Sequence, residues 1–471
     1  MAEMLTPQQQ MAVSNRGGRL LVSAAAGSGK TKVLVDRLMS YLMDPVRPAN
    51  IDDFLMITYT KAAAAELRGK IAAKLAEKIA EDPTNRHLQR QQQRLYLAKI
   101  STVHAFCGDA LREYAYRLDL GGDFRVADEQ ECSKIRESVM EKVLQESYEQ
   151  AAENPDFCAF LDTQGVGRND KLVPELVEKV YDSARCHLDP EAWLSHCLHQ
   201  TQTESIQDAS QTVYGQFLME RLRNWVSLQI GALENCAKLC KDYEGLEKIY
   251  GLLMDTVFQL GELKDCCLWD DVVRKSKVDF GKLVFPRKLD DELLKEKIKS
   301  VREACKKSLE KQMRPFADSS ERILKDMKNS AAAMRGLIWL VRQFETEYAR
   351  VKRSLRVLDF GDLEHYMLDL LLGKKRTTIT SAAKELGSRF REVMVDEYQD
   401  SNAVQDAIYA ALTDERKNLF LVGDVKQSIY QFRLADPSIF LRKYQTFVPA
   451  ESAGQGEDRK VLLSQILPFV G

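Results

Sequence analysis

The chain has 471 residues and a formal net charge of −2, with 45% hydrophobic and 29% charged residues. This composition is normal for a soluble globular protein of two to four domains, and the near-zero charge excludes a uniformly basic nucleic-acid-binding body. Any contact with nucleic acid must therefore come from local patches. The polar first ten residues do not resemble a secretory signal, and no apolar run approaches the roughly 20 residues that cross a bilayer. The ten cysteines lack disulfide-like spacing. Together, these three features predict a cytoplasmic protein without membrane association.

Strand-like and helical segments alternate in the first part of the chain, to about residue 128. Residues 19–23, 54–58 and 99–102 are short apolar runs typical of buried strands, and a helical pattern follows each of them. This alternation predicts a parallel sheet covered by helices.

The middle of the chain, residues 129–356, has a different pattern. It is poor in strand-like runs, and apolar residues such as Ile135, Val139 and Val143 recur at helical spacing. From residue 357 the first pattern returns, with apolar runs at 393–395 and 419–422 that are typical of central parallel strands. We therefore predict an α/β domain formed by residues 1–128 and 357–471 and interrupted by a large all-α insertion, residues 129–356.

A phosphate-binding loop is predicted directly after the first strand. It matches the pattern G-x-x-x-x-G-K-[ST] except at its first glycine and consists of Ala24, Ala25, Ala26, Gly27, Ser28, Gly29, Lys30 and Thr31. The glycines let backbone N–H groups point at a phosphate, and the following helix N-terminus favours negative charge. Lys30 would neutralise the β- and γ-phosphates, and Thr31 would bind Mg²⁺. The alternative is a chance loop of small residues before a helix.

An acidic pair ends the strand at 393–395. Asp396 would hold Mg²⁺ at the carboxyl edge of the sheet, and Glu397 would orient and deprotonate the attacking water. The alternative is a pair of surface acids. With the phosphate loop, the pair favours hydrolysis by water over a kinase reaction and therefore a motor or a switch.

The acidic pair opens the run DEYQD, which is similar to the D-E-x-Q-D motif of UvrD-like superfamily 1 DNA helicases. Six segments resemble motifs of that family in the same order: residues 5–9, 24–31, 58–68, 101–107, 396–400 and 422–433. Within the family, the Ala-rich loop, residues 62–67 and residues 358–364 (LDFGDLE) are most similar to AddA, which belongs to a helicase–nuclease, with RecB as the competing subfamily.

The resemblance implies a RecA-like P-loop NTPase fold with ATP and Mg²⁺ as cofactors. It implies that Gln9 reads adenine and that Gln427 senses the γ-phosphate. The implied contacts with single-stranded DNA, at a junction with duplex, are base stacking by Tyr59 and Phe432 and a DNA path near Thr102, His104 and Arg433. Aromatic side chains among hydroxyl, amide and basic groups suit a sequence-tolerant single-strand track. Without the resemblance, Tyr59 and Phe432 would be interpreted as core aromatics.

The family's fourth motif begins near residue 461 and its match ends after residue 465. We therefore expect a truncated chain that lacks the second motor domain and the nuclease. The expected function is that of a motor fragment of an ATP-dependent 3′→5′ DNA helicase in double-strand-break repair and recombination, in the bacterial cytoplasm, with an AddB-like partner. The alternatives are a nucleotide- and single-strand-binding module without unwinding activity and a P-loop NTPase that is not a helicase.

Overall fold

The computed structural model describes residues 5–25, 27–118, 120–164, 172–286, 289, 291–424, 426, 435–454 and 456–463. The chain forms two compact units. The sheet unit consists of Met1–Tyr148, Pro174–Trp193 and Val341–Gly471, and the helical unit consists of Glu149–Val173 and Leu194–Leu340.

Nine strands lie within the described residues: β1 Leu20–Ala24, β2 Phe54–Thr58, β3 Lys99–Thr102, β4 Arg125–Val126, β5 Val357–Leu358, β6 Glu392–Val395, β7 Leu419–Gly423, β8 Val448–Pro449 and β9 Arg459–Leu463. The α-helices in the same described ranges are α1 Pro7–Ser14, α2 Lys30–Leu42, α3 Lys61–Glu81, α4 Arg86–Gln93, α5 Val103–Glu113, α6 Glu129–Glu149, α7 Pro155–Gln164, α8 Leu172–Arg185, α9 Pro190–Gln200, α10 Val213–Cys240, α11 Glu247–Lys264, α12 Trp269–Lys275, α13 Glu292–Met313, α14 Ser320–Leu355, α15 Phe360–Leu372, α16 Ser381–Ser388, α17 Ala403–Thr413 and α18 Pro437–Thr446.

Seven strands form one parallel sheet in the order β3-β2-β6-β7-β1-β9-β8. Strand β1 lies between β7 and β9, so that Leu20 pairs with Phe420 on one side and Arg459 on the other. Each of the five predicted apolar runs lies in this sheet, which confirms the α/β class with a parallel sheet flanked by helices. The sheet also brings the carboxyl ends of β1, β2, β6 and β7 to one edge.

The strands are apolar throughout because both faces of the sheet are buried. Along β1, Leu21 packs into one hydrophobic core with α5, α15 and α17, whereas Leu20 and Val22 pack into a second core with α1, α2 and α3. Successive side chains of a strand point to opposite faces, and helices cover both faces here. The short apolar runs of the sequence therefore reflect burial on two sides.

A second, two-stranded parallel sheet joins the borders of the predicted insertion. Strand β4 pairs with β5, with Arg125 opposite Val357 and Val126 opposite Leu358. Between these strands the described residues form helices α6 to α14. The helical unit lies inside the predicted insertion 129–356, while α6 and the carboxyl-terminal part of α14 belong to the sheet unit. The boundaries at 128 and 356 remain a prediction.

The helical unit has its own core, centred on the buried ring of Trp269. The indole N–H of Trp269 donates to the Asp318 carbonyl oxygen at 2.9 Å, and its backbone N–H donates to Asp208 Oδ1 at 3.0 Å. A buried indole needs such a partner, since an unpaired polar group in a core is costly. Across the parts of the chain that the structure describes, no helix is both long and apolar enough to cross a membrane.

Candidate nucleotide and DNA site

The loop between β1 and α2 has a backbone that only glycine adopts easily. Gly27 has φ +73° and Gly29 has φ +85°, both in the left-handed region. Gly29 is the residue before the first turn of α2, which begins at Lys30. Gly29 gives α2 no side-chain cap. The first N–H groups of an α-helix lack partners within the helix, which suits its N-terminus to anion binding.

Gln9 of α1 supports this loop from behind. Its Nε2 donates to the Ser28 carbonyl oxygen at 2.9 Å, and its Oε1 accepts from the Thr6 backbone N–H at 3.0 Å. The Thr6 hydroxyl in turn accepts from the Gln9 backbone N–H, which completes a capping box at the start of α1. Gln9 is buried. The structure therefore places this residue, predicted to read adenine, against the phosphate loop through its side-chain amide.

The acidic pair lies directly beside the loop. Strand β6 ends at Val395, and the backbone N–H of Asp396 donates to the carbonyl oxygen of Ile57 in the neighbouring strand at 2.9 Å. Lys30 Nζ lies 2.7 Å from Glu397 Oε2, although strand β7 separates β1 from β6 in the sheet. The side chain of Lys30 is 12% exposed and that of Glu397 37% exposed, so this ion pair is accessible from one side.

The backbone at Glu397 is strained. It has φ +50° and ψ +42°, a left-handed conformation that a residue with a Cβ rarely adopts. Such positions cost about 1–3 kcal/mol and persist where the surrounding structure holds them, often at functional sites. Here the Glu397 backbone N–H donates to Asp396 Oδ1 at 3.0 Å, which fixes both acids relative to one another.

A cavity of about 580 Å³ opens next to these groups. Its lining includes Thr31 from the loop, Asp396 and Glu397 from the acidic pair, and Asp400. Burial, and next the charge of Glu397, raise the pKa of Asp396 to about 6 and likewise that of Asp400 to about 6. Several carboxylates thus repel one another in a partly buried site, and a bound cation would relieve that repulsion.

The donor set fits the predicted ligands. Thr31 and Asp396 offer hydroxyl and carboxylate oxygens, the ligands that Mg²⁺ uses together with phosphate oxygens. Among the described residues, no partner lies within hydrogen-bond distance of the buried Ser28 Oγ or of Asp400 Oδ1. Both polar atoms adjoin the loop or the cavity, where an incoming polar ligand would satisfy them.

His104 belongs to a second cluster, on α5. Its Nε2 lies 3.0 Å from Glu364 Oε1, and its ring stacks on Phe360 with centroids 4.4 Å apart. Glu364 is buried and also accepts from Gln405 Nε2 at 2.7 Å and Asn402 Nδ2 at 3.4 Å. Burial alone would raise the pKa of Glu364, but the hydrogen bonds from His104, Gln405 and Asn402 lower it below its usual value. The ionised carboxylate accepts, so His104 Nε2 donates and Nδ1 faces away from it.

The other predicted DNA contacts divide into two sets. Tyr59 follows β2, is partly exposed and lines the cavity beside the acidic pair. The Thr102 hydroxyl accepts from the Ala105 backbone N–H at 3.3 Å, so this residue caps α5, the helix that carries His104. The remaining predicted site residues, Gln427, Phe432 and Arg433, lie outside the described residues, as does Ala26 of the loop.

Comparison with known proteins explains this arrangement. Residues 5–448 match the family model described as UvrD/REP helicase N-terminal domain. The chain belongs to this family. The predicted resemblance of the chain to UvrD-like helicases is therefore confirmed.

Curated relatives of this UvrD/REP chain are ATP-dependent helicase/nuclease proteins of the AddA type. The relative from Pelotomaculum thermopropionicum is 37% identical over 463 residues, which cover 96% of this chain and 36% of the relative. Relatives from Listeria welshimeri and Clostridium novyi are 33% and 32% identical, covering 98% and 97% of this chain and 38% and 37% of the relatives. The chain thus spans a little over a third of the length of these relatives.

Three side chains of the UvrD/REP site were not assigned a role from the sequence: Gln399, Phe360 and Glu364. All three lie inside the quoted runs DEYQD and LDFGDLE. Membership of these motif runs was the signal in the sequence that could have pointed to them, whereas their burial and partners come from the structure. Gln399 bonds Glu397 two residues before it, but its other partner, Asp424, lies 25 residues away. The His104 partner of Glu364 lies 260 residues away, and no local spacing rule reveals such partners.

Proposed function

We propose that the chain is the ATP-binding and single-strand-gripping part of an ATP-dependent 3′→5′ DNA helicase that acts in double-strand-break repair and recombination. The observation that carries the proposal is the 2.7 Å contact of Lys30 Nζ with Glu397 Oε2 at the carboxyl edge of the parallel sheet. Ligands of open α/β sheets bind at that edge. A lysine at a glycine-rich helix start, facing two acids, is suited to phosphoryl transfer to water.

Lys30 and Glu397 would change partners when nucleotide binds. Bound ATP would supply the phosphoanhydride bond that water cleaves, and Mg²⁺ would neutralise the charge of the phosphate oxygens, including those of the departing ADP. Lys30 would then turn from Glu397 to the phosphates, while Thr31 and Asp396 would hold the cation. Glu397, relieved of its lysine, would accept a proton from the attacking water at Oε2. Gln9 would keep the loop in place through Ser28.

The DNA contacts of the proposal start from Tyr59 and His104. Tyr59 lies on the loop after β2 and lines the same cavity as Glu397, so a strand stacked on this ring would be close to the ATP site. Base stacking on an aromatic side chain typically contributes roughly 1–3 kcal/mol per base. His104 is held by Glu364 and Phe360 and would contact the backbone or a base of the same strand. Phe432 and Arg433 complete the proposed track, and Gln427 links it to the γ-phosphate.

Partner and cellular context come to the proposal from the relatives. Their name pairs a helicase with a nuclease, and an AddB-like protein is the partner expected for such a chain. A bacterial cytoplasmic enzyme that processes broken duplex ends through a single-strand track fits these names.

The test is nucleotide binding and ATP turnover by the purified chain, with and without a single-stranded oligonucleotide. Lys30→Ala removes the charged donor to the phosphates, and hydrogen bonds to charged groups contribute about 1.5–3 kcal/mol. A fluorescent ATP analogue should therefore bind roughly tenfold to a hundredfold more weakly. Glu397→Gln should retain nucleotide binding and lose turnover, since the amide cannot accept the proton.

Lys74→Ala is the matched control. Lys74 lies on α3, where it pairs with Glu77 at 2.8 Å, and it does not line the cavity beside the acidic pair. Its loss should leave both readouts at wild-type level. A wild-type chain that binds no nucleotide would refute the proposal. Nucleotide and DNA binding without turnover would favour a binding module instead, and nucleotide binding without DNA binding would favour an NTPase of another class.

A further inference from the structure

Gln399 bridges the acidic pair and the end of β7 with its one amide group. Its Nε2 donates to Glu397 Oε2 at 2.8 Å, and its Oε1 accepts from the Asp424 backbone N–H at 2.9 Å. The orientation of the amide is determined, because a backbone N–H can only donate. Gln399 is 2% exposed, and its bond with the Asp424 N–H is buried, where a lost partner is costly, whereas its bond with Glu397 is part-buried.

The last residue of β7 is shaped for this bridge. A Cβ on Gly423 would overlap Gln399 Oε1 and would lie 3.0 Å from Phe440 Cε2 and 3.2 Å from the backbone nitrogen of Gln399. Only a glycine at this position lets the Gln399 amide reach the next backbone N–H. The approach of Gln399 to β7 therefore depends on the Gln399 amide and on the absence of a side chain at Gly423.

Glu397 Oε2 accepts from two donors, Lys30 Nζ at 2.7 Å and Gln399 Nε2 at 2.8 Å. If Lys30 turns to a phosphate, Gln399 keeps its hold on the same oxygen atom. This matters because the left-handed backbone of Glu397 is strained and does not by itself fix the carboxylate. Gln399 thus holds the group that must face the attacking water.

We propose that Gln399 is a positioning residue that fixes the Glu397 carboxylate and ties it to the backbone of Asp424. This inference rests on the proposed function, in which Glu397 acts on water during ATP hydrolysis. In the sequence, Asp424 opens the segment that carries Gln427, Phe432 and Arg433. The bridge therefore joins the hydrolytic carboxylate to the strand end that leads into the proposed DNA contacts.

Two variants separate the two hydrogen bonds. Gln399→Met removes both, whereas Gln399→Glu keeps an acceptor for the Asp424 N–H and, in its ionised form at alkaline pH, replaces the donor to Glu397 with a second negative charge. We expect kcat for ATP to fall roughly tenfold to a hundredfold in both variants, since a hydrogen bond to a charged group is lost. Affinity for a fluorescent ATP analogue should stay within about threefold in Gln399→Met, because Lys30 and the loop are intact.

Hydrogen exchange of the nucleotide-free chain tests the bridge without turnover. Overlapping peptides that end at residues 423 and 424 isolate the Asp424 amide. Its exchange should be faster in Gln399→Met and at wild-type level in Gln399→Glu. The control is Gln91→Met. Gln91 is also buried; its Oε1 accepts from the Ile51 N–H at 2.9 Å, and its Nε2 donates to Asn50 Oδ1 at 3.0 Å, away from the site.

Wild-type kcat in Gln399→Met would overturn the positioning role, and so would an equal loss of kcat in Gln91→Met, which would indicate general destabilisation. Unchanged exchange of the Asp424 amide in Gln399→Met would overturn the bridge itself. If the wild-type chain bound no nucleotide, the proposed function and the positioning role would fail together, while the exchange experiment would still decide on the bridge.

Discussion

A buried ion pair between α2 and β6 is predicted to hold the ATP site together. Arg37 donates to Glu392 from Nε at 2.7 Å and from Nη2 at 2.6 Å, and both side chains are almost fully buried. Arg37 Nη1 also donates to the carbonyl oxygens of Ala12 at 2.6 Å and Asn15 at 2.9 Å, at the end of α1. One guanidinium group thus joins three elements and caps the negative end of the helix that carries Gln9.

Glu392→Leu should be strongly destabilising, because it leaves the Arg37 charge buried without its partner. Removing one partner of a buried pair costs about 3–5 kcal/mol, and 1.4 kcal/mol corresponds to a factor of ten. Amide hydrogen exchange in α1 and β6 should accelerate roughly a hundredfold to a few thousandfold where it occurs through opening of this region. Arg37→Met should act similarly, and the double variant should cost clearly less than the sum of the two single ones.

The matched control is Arg335→Met in the helical unit. Arg335 donates to Asp156 from Nε at 2.8 Å and from Nη2 at 2.7 Å, the same paired geometry on the surface. Exposed pairs contribute about 0–1 kcal/mol, so exchange in α7 should change less than about fivefold. An effect of Glu392→Leu below about 1 kcal/mol, or full additivity of the two single variants, would refute the reasoning.

Three further outcomes are expected. Gly215→Ala should destabilise the helical unit by about 1–3 kcal/mol, since its Cβ would overlap the Ala209 carbonyl oxygen. In Gly231→Ala, on the same helix, the new Cβ meets nothing within 4 Å, so this variant should stabilise the unit by up to about 1 kcal/mol. Urea unfolding followed by tryptophan fluorescence distinguishes the two variants. Glu364→Gln should lower the melting temperature at neutral pH. Because the folded pKa of Glu364 is lowered, its stabilisation is present above its unfolded pKa of about 4.3 and is lost as pH falls through the folded value, so the two melting curves should converge in acid; a constant difference would contradict this. Tyr59→Ala should weaken binding of a fluorescent oligothymidine by roughly 1–3 kcal/mol per stacked base in an anisotropy titration, and unchanged binding would remove Tyr59 from the track.

The sequence predicts the sheet well because its strands are buried on both faces. The runs at 54–58 and 99–102 coincide with β2 and β3, and the others differ from β1, β6 and β7 by one residue. Strand β9 was not predicted, since Arg459 and Lys460 interrupt the apolar pattern. Burial alternates at the end of β9, where Val461 and Leu463 are buried and Leu462 is exposed.

The candidate site was predictable only as far as local spacing reaches. The loop from Ala24 to Thr31 has a local signature, whereas the partners of Arg37 and His104 lie 355 and 260 residues away. Gln9 shows the difference in another way. Thr6, Pro7 and Gln9 form a recognisable helix start, yet only the fold shows that the Gln9 amide supports the phosphate loop.

Under the proposed function, the contacts of Glu397 would keep the site inactive in the absence of nucleotide. In the structure the Glu397 carboxylate forms an ion pair with Lys30, the residue proposed to bind phosphate. The proposed phosphate-binding group and the proposed proton acceptor are therefore paired with each other. A ligand that draws Lys30 away would expose the Glu397 base in the same step, while Gln399 keeps that base oriented. Because Gln399 also accepts from the Asp424 N–H, a change of partner at Lys30 would, under the same proposal, alter a contact that reaches the end of β7. Under this proposal, Lys30 would make the activation of water conditional on bound phosphate, and Gln399 would connect that change to the backbone of Asp424.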